Sequence, residues 1–121
     1  MNDLKLNSDL RKEEIIGKIF TVTIDRPIGS EHPKRINIKY PINYGYIEGI
    51  IAPDCEEQDV YILGIDYPLK QFTGKIIAII HRLNDVEDKW VMAANDKKYS
   101  EAEIKRLTYF QEQFYKSIII L

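Results

Sequence analysis

Short β-branched runs separated by turn residues recur along most of this 121-residue chain, and that rhythm limits the fold more than any other feature. Ile19 to Asp25 reads IFTVTID, with Phe20, Val22 and Ile24 alternating against Thr21 and Thr23, the pattern of a half-buried strand. Ile47 to Ala52, VYILGI from Val60, KIIAIIH from Lys75 and Trp90 to Ala94 continue the series, with Pro68 and Gly74 as turn signals. Strong helical signals occur in one stretch, Ser100 to Lys116. Ser100 and Glu103 form a capping box, and Ile104, Leu107, Phe110 and Phe114 make a single apolar stripe. A short helix is expected from Asp9, its N-cap, to Gly17, its stop. Ile118 to Leu121 is an apolar end expected to pack on the domain or on a second subunit. Together these predict a mainly β chain with α, an OB-like five-stranded barrel with a C-terminal helix packed against it.

One barrel uses up a chain of this size, and residues 1–121 are read as a single domain. Seventeen Lys and Arg against 19 Asp and Glu, a net charge of −2, argue against a general nucleic-acid binder. Cys55 is the one cysteine, which precludes an internal disulfide and fits a reducing compartment. MNDLKLNSDLRKEE carries no apolar signal core, and no run approaches a membrane span. A cytoplasmic protein without membrane or nucleic-acid partners is expected.

The chemistry gathers in YPINYGYIEGIIAPDCEEQD, Tyr40 to Asp59. Asp54, Glu56, Glu57 and Asp59 stand within six residues with no lysine or arginine among them, and such a turn attracts a cation. Hard divalent ions take carboxylate oxygens, and magnesium commonly uses one or two of them plus water and phosphate oxygens. In extended backbone Asp54 and Glu56 share a face, while Asp59 needs a bend between Cys55 and Gln58 to join them. The plain alternative is a solvated acidic turn. An EF-hand is excluded, because its glycine and distant glutamate are missing.

A second acidic group, Asp85, Glu87 and Asp88, runs into Lys89 after the KIIAIIH strand, and by itself reads as a charged hairpin tip. The loop RPIGSEHPKR, Arg26 to Arg35, offers Lys34, Arg35 and His32 to an anionic ligand. Tyr115 and Lys116 close the C-terminal helix. His81 lies in an apolar strand and reads as packed and hydrogen-bonded, and Cys55 has no neighbouring base to activate it. P-loop, dinucleotide-binding and serine-hydrolase motifs are missing from the sequence.

Tyr40, Pro41, Asn43, Tyr44, Gly45, Tyr46 and Ile47, followed at a short spacing by Asp54 and Asp59, resemble the soluble family I inorganic pyrophosphatases, whose segment runs YPxNYGYI and then DGDPxD. In DCEEQD, Cys55 stands for the glycine, Glu56 for the middle aspartate and Glu57 for the proline. The resemblance extends from about Thr21 to Lys116, with loops trimmed and with Thr21 and Thr23 where the family has a lysine and a glutamate. It implies Mg2+-dependent hydrolysis of inorganic pyrophosphate to two phosphates, with Mn2+ as a substitute ion. By the same resemblance Asp54, Asp59, Asp85 and Glu87 hold metal, Asp88 being the rival of Glu87, and Glu56 and Tyr44 are catalytic, Glu56 as the base for water. Lys89, Tyr115, Lys116, Tyr40 and Arg35 hold the phosphates. A homo-oligomer is expected. The altered hexad leaves open a degenerate relative that binds or assembles without turnover, and the many tyrosines leave open single-strand stacking, against which the acids argue.

Overall fold

The structure is a computed structural model that describes residues 12–85, 87–94 and 97–121. Its elements among the described residues are β1 (Ile19–Arg26), β2 (Asn43–Ile51), β3 (Glu57–Leu63), β4 (Gln71–Arg82), β5 (Asp88–Ala93), α1 (Glu101–Glu112) and β6 (Ser117–Ile120), preceded by a 3-10 turn, Lys12–Glu14. The strands follow the order β1-β2-β3-β5-β4-β6, and pairing of β1 with β4 closes the first five into a barrel. This is the expected five-stranded barrel with its C-terminal helix. The 12-residue β4 makes closure possible, since its first half pairs with β1 and the rest with β5 and β6.

Among the described residues only β3 and β5 run parallel, and both are buried on their two faces, as parallel strands generally are. Val60, Ile62, Trp90 and Met92 join Val22, Ile24, Ile47 and Ile76 in the barrel interior. Their neighbours Tyr61, Leu63 and Val91 point outward and pack with Tyr40, Tyr44, Ile80 and Ile104 of α1. A second core therefore lies between barrel wall and helix, and it is the one that borders the site.

Several boundaries differ from the sequence reading. The tyrosine motif is itself strand, starting at Asn43 rather than Ile47. Gly45 explains why the motif tolerates no side chain there: a Cβ would collide with the backbone of Thr23 and Ile24 on β1. Asn43, fully buried, ties the strand to two loops by accepting from Ile28 N at 3.1 Å and Leu69 N at 3.2 Å. Helix α1 has the expected capping box but stops at Glu112, four residues short, so that Tyr115 and Lys116 lie past its end. Of the expected Asp9 to Gly17 helix, Asp9 lies outside the described residues, and the described part is the 3-10 turn with Gly17 at φ 95°. The apolar end packs on the domain, as β6 against β4, with Ile119 opposite Ile80. His81 is half exposed rather than packed, its Nδ1 lying 2.7 Å from Asp88 Oδ1 on the paired strand. Among the described residues no helix is long and apolar enough to cross a membrane.

Candidate functional site

Strand parity brings the chemical residues to the outer, helix-facing side of the barrel. Tyr46 pairs with Asp59, and Val60 pairs with Trp90, so Asp59 and Lys89 stand side by side on the face that carries Tyr61 and Val91. Arg82 is two residues beyond Ile80 and joins the same face. A cavity of about 300 Å3 opens there. Its lining includes Arg26, His32, Lys34 and Arg35 from the end of β1 onward, Tyr44, Asp59 and Lys89 on the barrel wall with Tyr40, and Arg82, Glu87 and Tyr115.

Lys89 is almost wholly enclosed, and burial alone would discharge it. Its Nζ is 2.7 Å from Asp59 Oδ2 and also meets Glu87 Oε1, and these two charges outweigh the burial and raise its pKa. Tyr44 lies beneath the ammonium, ring centroid 5.5 Å away, with a hydroxyl pushed well up by burial and then by the Asp59 charge. It stays protonated and donates to Asp59. The Gln58 amide, buried beside Asp59, donates to the carbonyls of Asp59 and Asp88 at 3.0 and 2.8 Å and so staples the two acidic segments together.

Burial also opposes the charge of Arg82, but the hydrogen bonds and charge of Glu112 overcome it and hold the guanidinium above its ordinary pKa. Nε and Nη2 donate to the two Glu112 oxygens at 3.0 and 2.7 Å, and the Tyr115 ring covers the guanidinium at 3.6 Å. Behind the pair runs a buried chain of polar groups. Tyr61 Oη donates to Glu112 at 2.6 Å and accepts from Gln111 Nε2 at 2.7 Å, and Gln111 Oε1 in turn meets Tyr40 Oη at 3.1 Å and His32 Nε2 at 3.0 Å. His32 Nδ1 accepts from Lys34 N at 3.1 Å, which places the ring proton of the neutral imidazole on Nε2. Burial lowers the pKa of His32 and favours that form.

The expected metal ligands meet only in part. Glu87 is pushed up to about 7, first by burial and then by its hydrogen bond with Asp54, and Asp54 is held down by the same bond. Asp85 faces Arg82 Nη1 at 3.2 Å. Among the described residues no three His, Cys, Asp or Glu side chains form a metal-ligand group. Of the residues expected to hold phosphate, Lys89, Tyr40, Arg35 and Tyr115 line the cavity, whereas Lys116 lines a separate hollow with Leu83, Lys105 and Tyr109. Glu56 is exposed in the turn and stands apart from the cavity wall. Cys55 occupies φ 70° there, the conformation a glycine adopts freely.

Sequence reasoning missed Arg82, Gln111 and Glu112. A signal was present: Gln111 and Glu112 lie seven and eight residues after Ile104, on the buried stripe where polar residues have no place unless paired.

Solved inorganic pyrophosphatases share this architecture. The enzyme from Neisseria gonorrhoeae matches with a TM-score of 0.60 and 22% identity over 78% of this chain and 72% of its own. Those from Ehrlichia chaffeensis and Thermus thermophilus give TM-scores of 0.65 and 0.64, both at 16% identity over 84% of this chain, and 84% and 82% of theirs. The chain has the inorganic pyrophosphatase fold. No family model matches the sequence, and no curated protein matches it.

Proposed function

We propose that this chain hydrolyses inorganic pyrophosphate to two phosphates with the help of Mg2+, Mn2+ being able to substitute. One juxtaposition supports the reading. The cations after β1 line one small cavity together with Lys89 and the two carboxylates it pairs with, Asp59 and Glu87, on a fold shared with solved pyrophosphatases. Phosphoryl transfer asks little covalent chemistry of a protein, so positioned charge does most of the catalysis.

The donor set fits a divalent ion in the manner magnesium prefers. Asp54 and Glu87 hydrogen-bond each other, and once deprotonated they would offer a carboxylate oxygen each, with Asp59 linked to Glu87 through Lys89. That number suits an ion which completes its shell with water and phosphate oxygens. When bound, it would neutralise phosphoryl charge and acidify a water. Lys89 acts as a point charge on the phosphate oxygens, Arg35 and Tyr115 hold the anion beside it, and Tyr40 and the protonated Tyr44 shape the site. Glu56 is assigned the water's proton on the resemblance of its position in DCEEQD to the family's middle aspartate.

Binding without turnover is the second reading, favoured by the exposed position of Glu56. Phosphate release from pyrophosphate with Mg2+, set against a nucleoside triphosphate, tests the first. Arg35→Gln is expected to raise the KM about tenfold, the cost of one charged hydrogen bond, with folding unchanged because Arg35 is exposed. Calorimetric binding of pyrophosphate with no release under any divalent ion would select the second reading, and neither binding nor release would overturn both.

A further inference from the structure

We infer that Arg82 is a built-in cation standing in for a divalent ion beside Asp85 and Glu87, so that this part of the cavity meets a phosphate-type anion through a guanidinium. Arg82 ends β4 with 3% of its side chain exposed, yet it lines the cavity. Nη1 donates to Asp85 Oδ2 at 3.2 Å and Glu87 Oε1 at 3.3 Å, while Nε and Nη2 grip Glu112. Three carboxylates thus converge on one planar cation. An ion seated between Asp85 and Glu87 would need the oxygens that Nη1 already occupies, and would lie against a positive charge that no physiological pH removes.

The fork is not free to swing aside. Glu112 is itself anchored by Tyr61 Oη at 2.6 Å, and Tyr115 caps the guanidinium, so withdrawal of Arg82 would strand a buried carboxylate. Four of the five guanidinium N–H groups are taken by these carboxylates; among the described residues the fifth, on Nη2, is the one left for an anion. Glu87 therefore has unlike neighbours: Asp54, with which it would accept an ion, and Arg82, which supplies a positive charge of its own. The ligand class rests on the proposed function, but the metal count does not.

Manganese titrated into the free chain, followed by loss of the free-ion signal in electron paramagnetic resonance, reads that count without pyrophosphate. One bound Mn2+ is expected. Asp54→Asn should weaken it by about tenfold, and Asp85→Asn should leave its affinity unchanged. Arg82→Gln removes the guanidinium from between Asp85 and Glu87 and should add a second bound ion, which the double variant with Asp85→Asn loses again. Should Arg82→Gln fail to fold, Asp85→Asn in the otherwise native chain decides alone. Two bound ions in the native chain with one lost in Asp85→Asn, or no gain in a folded Arg82→Gln, would overturn the inference. Failure of pyrophosphate to bind would count against the proposed function, with the manganese result standing apart from it.

Discussion

In the turn between β2 and β3, Asp54 accepts from Glu56 N at 3.0 Å and Glu57 accepts from Gly49 N at 3.1 Å, both bonds at the surface, and Asp54 reaches the other acidic turn through Glu87. In the turn between β4 and β5, Asp85 and Glu87 are gripped by Arg82, while Lys89 draws Glu87 and Asp59 together, both cations being nearly out of solvent. Two segments of similar acidity are thus held by different partners. A surface carboxylate on a backbone amide exchanges that partner for water or an ion at small cost. One clamped to a buried cation cannot, because releasing it leaves an uncompensated charge in a low-dielectric surrounding. Acid density in a sequence therefore says where cations collect, but not whether the cation is a metal or a side chain.

The largest expected effect that would break this comparison lies at Arg82. Arg82→Met strands Glu112 and should cost about 3–5 kcal/mol in urea unfolding, whereas Glu56→Gln in the exposed turn should stay within about 0.5 kcal/mol. Similar losses at both would mean that the two turns are held alike.

The pH dependence of stability sharpens it next. Glu87 is pushed up to about 7 from 4.5, so between those values the folded chain keeps a proton that the unfolded chain has lost. Its contribution is fully present below 4.5 and disappears as pH rises through about 7. Asp54 has the opposite sign, being held below 3.8, and loses its contribution only as pH falls through that lowered value. Urea midpoints measured across the window from 4.5 to about 7 should fall with rising pH in the native chain, relative to Glu87→Gln. Parallel profiles in the two proteins would show that Glu87 carries no extra proton.

The smallest effect belongs to Cys55. A non-glycine residue at φ 70° is strained, and Cys55→Gly should gain about 0.5–1 kcal/mol after the added freedom of the unfolded chain is subtracted. A loss on this substitution would mean that the thiol makes a favourable contact in the turn.

Much of the fold was legible because it rests on local periodicity. Alternation in IFTVTID, the β-branched runs at Val60 and Lys75, and the Ser100–Glu103 capping box each act within a few residues, and each reappears in the structure. The close crossing at Gly45 belongs to the tertiary structure, because the sequence pattern starts that strand only at Ile47. What tertiary structure decided above all was partnership. Arg82 meets Glu112 across 30 residues and Lys89 meets Asp59 across another 30, and nothing in either segment names its partner. Those pairings depend on barrel closure by β4, on the parallel register of β3 with β5 and on where α1 stops. Period and turn chemistry set which face a residue occupies, whereas the neighbour that neutralises its charge is set by the register of strands distant in the chain.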